Sequence, residues 1–127
     1  MTIEIKRAYV ASSTTDGKRF LVERLWPRGL RKDVLQLDAW LKDVAPSTTL
    51  RIWFNHDPAK WPEFAKRYSA ELDSNRTALQ ILVDASRRGV VTLIYSAHDE
   101  DHNSALALKQ YLVKNSVVLN KDLGVKL

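Results

Sequence analysis

The 127-residue sequence contains no cysteine. Disulfide staples, thiolate nucleophiles and thiolate metal sites are therefore excluded, and the composition is compatible with a reducing compartment. Glycine and proline are sparse, at four residues each. The glycines nowhere cluster into a phosphate loop, a Walker sequence or a dinucleotide fingerprint. No apolar run is long enough to span a bilayer, and the opening MTIEIKRAYV carries charges where a signal peptide needs an apolar stretch. The expected location is cytoplasmic, with no membrane partner. Repeats and low-complexity linkers are also missing, so residues 1–127 read as one α/β domain.

What is present is moderately basic. Lys and Arg number 20 against 15 Asp and Glu, a formal net charge of +5, so the surface attracts anions in general. The basic residues fall in scattered pairs (Lys6-Arg7, Lys18-Arg19, Arg31-Lys32, Lys66-Arg67, Arg87-Arg88) and form no long run. Such pairs read first as solvated faces.

Residues 90–113, VVTLIYSAHDEDHNSALALKQYLV, organise the rest. Val90, Val91, Leu93 and Ile94, extended by Tyr95, form an apolar run rich in β-branched side chains, which predicts a strand covered on both faces. The turn Ser96-Ala97-His98-Asp99-Glu100-Asp101 offers donors, acceptors and negative charge but little to bury. Helical spacing resumes with Ala105, Leu108 and Leu112, with Leu106 beside them. Asp99 or Asp101 is the predicted cap, because a short carboxylate accepts from the unpaired amides of a first helical turn. Strand, polar turn and helix is the repeating unit of open α/β sheets, which bind ligands beyond the carboxyl ends of their strands.

Upstream, Ile3, Ile5 and Ala8 among Glu4, Lys6 and Arg7 predict a first strand reaching Tyr9. Residues 19–26, RFLVERLW, predict a second, ended by the turn Pro27-Arg28-Gly29. The intervening Asp16-Gly17 favours a hairpin between them, although the loop is long enough for other pairings. Leu37, Trp40, Leu41 and Val44 recur at the spacing of one helix face, closed by Pro46. Ser47 stands as an N-cap before Leu50, Trp53 and Phe54. Asp57-Pro58 reads as cap and first helical residue, while Pro62 lets the main helix begin near Trp61 instead. Trp61, Phe64, Ala65, Tyr68 and Leu72 are its buried stripe. Asp73-Ser74-Asn75 breaks the pattern and caps a further helix, with Ala78, Leu79, Leu82, Val83 and Ala85 inward and Gly89 as a left-handed terminator. Residues 117–119 suggest a short edge strand, and the tail 113–127 adds no further signal. The sum is an α/β fold: a small sheet of three or four strands, at least partly parallel, flanked by about five helices.

Two segments concentrate the chemistry. Arg24 and Arg28 bracket the end of the second predicted strand, in Glu23-Arg24-Leu25-Trp26-Pro27-Arg28-Gly29, and planar guanidinium forks suit carboxylate or phosphate. Internal pairing of Arg24 with Glu23 or Asp57 is an equal alternative. His98 and His102 lie four apart, and an imidazole near the first turn of the last helix is a candidate general acid or base. Ser96 lacks the glycines of a nucleophile elbow, so hydrogen bonding is its expected role. His98, Asp99, Asp101 and His102 have ligand atoms without an established metal spacing, and no metal is assigned. His56-Asp57 reads as a capping pair that could face the same crevice. Of the four tryptophans, Trp26 alone falls outside a core stripe, where it could wall a ligand or stack on a base.

The segments VERLWPRGLRKD, LRIWFNHDPAKWPEFAKRYSAEL and VTLIYSAHDEDHNSALALKQYL resemble the marker segments of the YeaO-like proteins, domain-of-unknown-function family 488, over residues 3–112. The resemblance implies a compact bacterial cytoplasmic α/β domain of unestablished activity, with Arg24, Trp26, Arg28, Gly29, His56, Asp57, Asp99 and Asn103 on the family's marked positions. More distant members carry Asp-Val-Arg after one strand and Cys-Ala-Glu…Cys-His-Arg after another. Glu23-Arg24 falls on the first pattern, Ser96-Ala97-His98 and His102-Asn103 on the second. This chain lacks both cysteines and has His98 where close relatives prefer Lys or Arg, which moves the weight from His98 to His102.

The resulting expectation is a pocket for a small anionic ligand, phosphate-bearing or nucleotide-like, at the strand carboxyl ends. Arg24 and Arg28 hold the phosphate, Asp99 and Asn103 orient the ligand, and His102 transfers a proton if hydrolysis occurs. Trp26, Gly29 and Ser96 join the lining, with Glu23, His56, Asp57 and His98 as lesser candidates. Whether the protein is an enzyme, which cofactor it uses and its oligomeric state stay open. A nucleic-acid module using the basic pairs and Trp26, or a ligand-free interaction domain, are the alternatives.

Overall fold

The computed structural model describes residues 1–124; the end of the tail, residues 125–127, lies outside the described residues. The strands β1 (Ile3–Arg7), β2 (Lys18–Leu21), β3 (Ala39–Trp40) and β4 (Val91–Tyr95) form one sheet in the order β1-β4-β2-β3, with every neighbouring pair parallel. The helices are α1 (Lys32–Leu35), α2 (Thr48–Phe54), α3 (Trp61–Asp73), α4 (Gln80–Arg88), α5 (Ser104–Lys114) and α6 (Ser116–Asp122). The expected α/β class holds, and the sheet, expected to be at least partly parallel, is parallel throughout.

β4 is the axis of this arrangement. It lies between β1 and β2, and all five of its residues are buried, as its unbroken apolar run predicts. Strand alternation then divides the core into two layers. Val91, Leu93 and Tyr95 join Ile3, Phe20 and Val22 under the inward residues of α3, α4 and α5. Ile94 joins Ala8, Leu21 and Leu35 in a smaller cluster on the opposite face, walled by Trp26, Leu37 and Trp40. Local signals set several boundaries correctly: Ser47 caps α2 by accepting from the Leu50 amide, and Asp57 caps a short 3-10 turn with Pro58 first, after which α3 starts at Trp61.

Other expectations are overturned. β1 and β2 form no hairpin, because β4 is inserted between them. Gly17 serves that insertion: at φ +65° its backbone passes so close to β4 that an added Cβ would stand 2.1 Å from the Val90 carbonyl oxygen. β2 stops at Leu21, which leaves residues 23–26 in a loop. The helix expected over Leu37, Trp40, Leu41 and Val44 is instead the edge strand β3 and a 3-10 turn, Lys42–Val44, since four apolar positions fit that combination equally well. The edge strand expected at 117–119 is part of α6, where Leu119 is buried and Val117 80% exposed, a helical rather than a strand placement. Gly89 is extended (φ 167°), not left-handed, and its N–H still closes α4 by donating to the Ala85 carbonyl. Asn75 makes no side-chain cap and donates to the Asp43 carbonyl instead. Among the described residues no helix is long and apolar enough to cross a membrane.

The face of β4 that lacks a thick helical layer carries an ionic cluster beside its small apolar one. Asp16 accepts from the Lys6 ammonium at 2.7 Å, the Arg19 guanidinium at 2.6 Å and the Ser13 amide at 2.9 Å, while its own carbonyl accepts from Thr92 Oγ1. Arg19, read from sequence as half of a solvated pair, is 5% exposed and also donates to the Leu35 and Gln36 carbonyls. Burial alone raises the Asp16 carboxyl, but Lys6, the Ser13 amide and Arg19 outweigh it and hold the group below its usual 3.8. Its contribution to stability is therefore complete above that unfolded-state value and lost as pH falls through the lower folded-state value. Asp16→Asn strands two cations in a poorly solvated site and is expected to lower stability at neutral pH by roughly 3 kcal/mol. Urea unfolding across pH checks this: the gap from wild type narrows in strong acid, and equal stability at neutral pH contradicts it.

Candidate functional site

Parallel strands deliver their carboxyl ends to one edge, and the segments that follow them build a cavity there. Tyr9 lies just beyond β1, Glu23 just beyond β2, and Ser96 directly follows β4. Val22 donates to the Ile94 carbonyl, so the exits from β2 and β4 run side by side. The cavity has a volume of about 420 Å³, within the usual range for small-ligand sites. Glu23, Arg24, Trp26 and Arg28 form one wall, and Ser96, His102 and Asn103 another. Arg51, Phe54 and His56 of the α2 segment close a third side.

Glu23 is the unusual member. Its Oε2 accepts from Ser96 Oγ at 3.1 Å, whereas Oε1 is buried without a hydrogen-bond partner. A polar atom left so is rare in a native structure and calls for a physical explanation. Burial pushes the carboxyl above its usual 4.5; the Ser96 hydroxyl and amide, then His56 and Arg51, pull it down without cancelling the rise.

The arginines divide by role. Arg24 reaches neither Glu23 nor Asp57: Nε donates to the Pro46 carbonyl at 2.8 Å and Nη2 to that of Ala45 at 3.4 Å. These bonds pin the segment before α2 to the β2 exit, and Arg24 forms no ion pair among the described residues. The Arg28 and Arg51 side chains are exposed and form no ion pair among the described residues. The turn carrying Arg28 is held by Tyr9, whose hydroxyl donates to the Arg28 carbonyl, and by Trp26, whose indole N–H donates to the Leu30 carbonyl. Gly29 at φ +79° makes that turn and does not itself line the cavity.

On the opposite wall, Asp99 acts through a neighbour. Its Oδ1 accepts from the Asp101 and His102 amides and its Oδ2 meets His102 Nδ1 at 2.9 Å. The Asp101 amide, with His102, holds the Asp99 carboxyl below its usual range despite some desolvation. An ionised carboxylate only accepts, so Nδ1 carries a proton, and Nε2 is the acceptor whenever the ring is neutral. Trp61 stands edge-on to the imidazole at 5.6 Å between centroids. His102 lies just before α5 rather than in its first turn, because the cap is Asn103 and not Asp99 or Asp101: Asn103 Oδ1 accepts from the Leu106 amide, and Nδ2 donates to the Asp99 and Glu100 carbonyls. Asn103 thus lines the cavity with its amide already engaged.

Besides Gly29, three expected residues stay outside. Asp57 is occupied in capping the 3-10 turn, Asp99 touches the cavity only through His102, and His98 is exposed beside Arg7. Sequence reading missed Arg51, Tyr9 and Phe54; the strand-end rule would have found Tyr9, and Arg51 lies in the segment that also supplied His56. No group of three His, Asp or Glu among the described residues is arranged to hold a metal ion.

The raised Glu23 carboxyl has a consequence for stability. Its contribution is complete below the usual 4.5 and lost as pH rises through the raised folded-state value, so the ionised group weakens the fold at neutral pH. Glu23→Gln is expected to raise Tm by a few degrees at neutral pH, with the gain closing in acid; circular dichroism melts at both pH values check it, and a lower neutral Tm contradicts it.

A family model described as "Inactive DUF488-N3 subclade" matches residues 2–122. The Uncharacterized protein YeaO of Escherichia coli (strain K12) is 40% identical over 112 residues, covering 88% of this chain and 97% of the relative. The Uncharacterized protein Rv3073c of Mycobacterium tuberculosis (strain ATCC 25618 / H37Rv) is 40% identical over 110 residues, covering 87% and 92%. No solved structure matches the chain. The family match over residues 2–122 and 40% identity over 88% of the chain make it a YeaO-like member of the DUF488 family.

Proposed function

We propose that the cavity at the carboxyl ends of β1, β2 and β4 binds a small anionic molecule, phosphate-bearing or nucleotide-like, without turning it over. The observation that carries this reading is the charge arrangement of the walls. Arg24, Arg28 and Arg51 surround the space without a carboxylate partner, and the one carboxylate lining it, Glu23, resists ionisation. A cavity so lined lowers the energy of an anion inside it, and guanidinium forks suit phosphate oxygens. The description of the matching subclade as inactive favours binding over turnover.

One specific feature supports a hydrolytic second reading. Asp99 orients His102 and fixes its tautomer, the arrangement a general base requires. The nucleic-acid reading loses support because its phosphate-contacting pairs are largely engaged: Lys6 and Arg19 on Asp16, Arg31 on Asp33, Arg67 on Glu63, Arg87 on Asn120. Trp26 is committed as well, with its N–H on Leu30 and its ring edge-on to Trp40 at 5.4 Å.

Calorimetric titration with inorganic phosphate and a nucleoside monophosphate tests the proposal. Arg28→Gln and Arg51→Gln are each expected to weaken binding about tenfold, the loss of one charge-assisted hydrogen bond, with little change in Tm. Arg24→Ala is expected to lower stability by about 2 kcal/mol through its lost carbonyl bonds. Absence of saturable anion binding, or affinity only for polynucleotides with steep salt dependence, contradicts the pocket; slow hydrolysis that His102→Gln abolishes favours the second reading.

A further inference from the structure

Building on the anion-binding reading, we infer that Glu23 and Ser96 select ligands carrying a vicinal diol beside the anionic group, so that the ligand class is a polyol phosphate of the ribose phosphate type. The starting point is the unpartnered Glu23 Oε1. Rotation about the terminal carboxyl torsion is soft, so a small turn presents that oxygen to the cavity the residue lines. A bound donor then supplies the hydrogen bond that the protein itself does not provide.

The geometry narrows the donor. An ammonium is disfavoured among Arg24, Arg28 and Arg51, which leaves neutral O–H or N–H groups. The two-donor edge of a base would need both carboxylate oxygens facing it, but Oε2 already accepts from Ser96 Oγ. Ser96 Oγ, having donated its proton, keeps lone pairs beside Oε1. The free acceptors are therefore a carboxylate oxygen and a hydroxyl oxygen on two residues joined through the Ser96 Oγ bond to Oε2. Two hydroxyls on adjacent carbons can offer a donor to each of these acceptors, whereas a single hydroxyl satisfies one only. A carboxylate just past a strand end is also the position from which open α/β sheets hold sugar hydroxyls.

The test compares ribose 5-phosphate, 2-deoxyribose 5-phosphate and inorganic phosphate by calorimetric titration of the wild-type chain. Removing the 2-hydroxyl breaks the diol and leaves the phosphate untouched. Ribose 5-phosphate is expected to bind at least about tenfold more tightly than its 2-deoxy analogue, the value of one well-placed hydrogen bond. In Glu23→Gln that preference is expected to fall to roughly twofold. Equal affinity of wild type for the two sugars overturns the inference and leaves the anion reading standing, as does a preference that survives Glu23→Gln. If none of the three ligands binds, both readings fall together.

Discussion

The carboxylate of Asp16 holds together a sheet whose connectivity would otherwise leave it open. A central parallel strand needs cover on both faces, because its side chains alternate and neither row tolerates water. α3, α4 and α5 provide that on one side. On the other, only four buried residues make an apolar cluster, and the remaining area is occupied by Lys6, Asp16, Arg19 and Thr92 bonded to one another. The irregular crossover between β1 and β2 is fixed by these bonds and by the approach of Gly17 to the Val90 carbonyl. Without that fixation β2 has no reason to settle on the far side of β4, and the exits from β2 and β4 would not be neighbours.

The cavity follows from that neighbourhood. Once the strands run the same way and β4 stands between β1 and β2, Tyr9, Glu23 and Ser96 arrive at one edge regardless of what they bind. Arg24 then anchors the α2 approach to the β2 exit through the Ala45 and Pro46 carbonyls, which brings Arg51 and His56 across from Glu23. The arginine most conspicuous in the sequence is thus mainly a clamp, and the cavity is also lined by the exposed Arg28 and by Arg51, which no local pattern singled out.

Much of this was legible in the chain, in proportion to how local each signal is. The buried run 91–95, the Ser47 cap and the stripe of Phe64, Tyr68 and Leu72 depend on near neighbours, and the structure has them where periodicity puts them. The hairpin reading failed because Asp16-Gly17 is ambiguous between a tight turn and a close pass under another strand, a choice settled by Val90 more than seventy residues away. Trp40 failed differently: two residues suffice for an edge strand, too few to show a period of two against a helical one. In the site, grouping Arg24, Arg28, Ser96, Asp99, His102 and Asn103 required only the strand-end rule, and all but Asp99 line the cavity. Which of them are committed to the backbone was invisible, since the carbonyls taken by Arg24 and Asn103 belong to loops whose paths no pattern encodes.

Adjacent residues Glu23 and Arg24 show how the site and the fold divide the same loop. Both leave the end of β2, yet Arg24 turns to carbonyls and stabilises the loop, while Glu23 turns into a poorly solvated space where ionisation is disfavoured and one oxygen is left unpaired. A neutral side chain of the same shape would sit there at lower cost. On the proposed reading, a bound donor supplies the hydrogen bond that the surroundings of Glu23 do not provide. The Arg24 clamp is the condition that makes this tolerable, because it keeps the loop ordered while its neighbour weakens it.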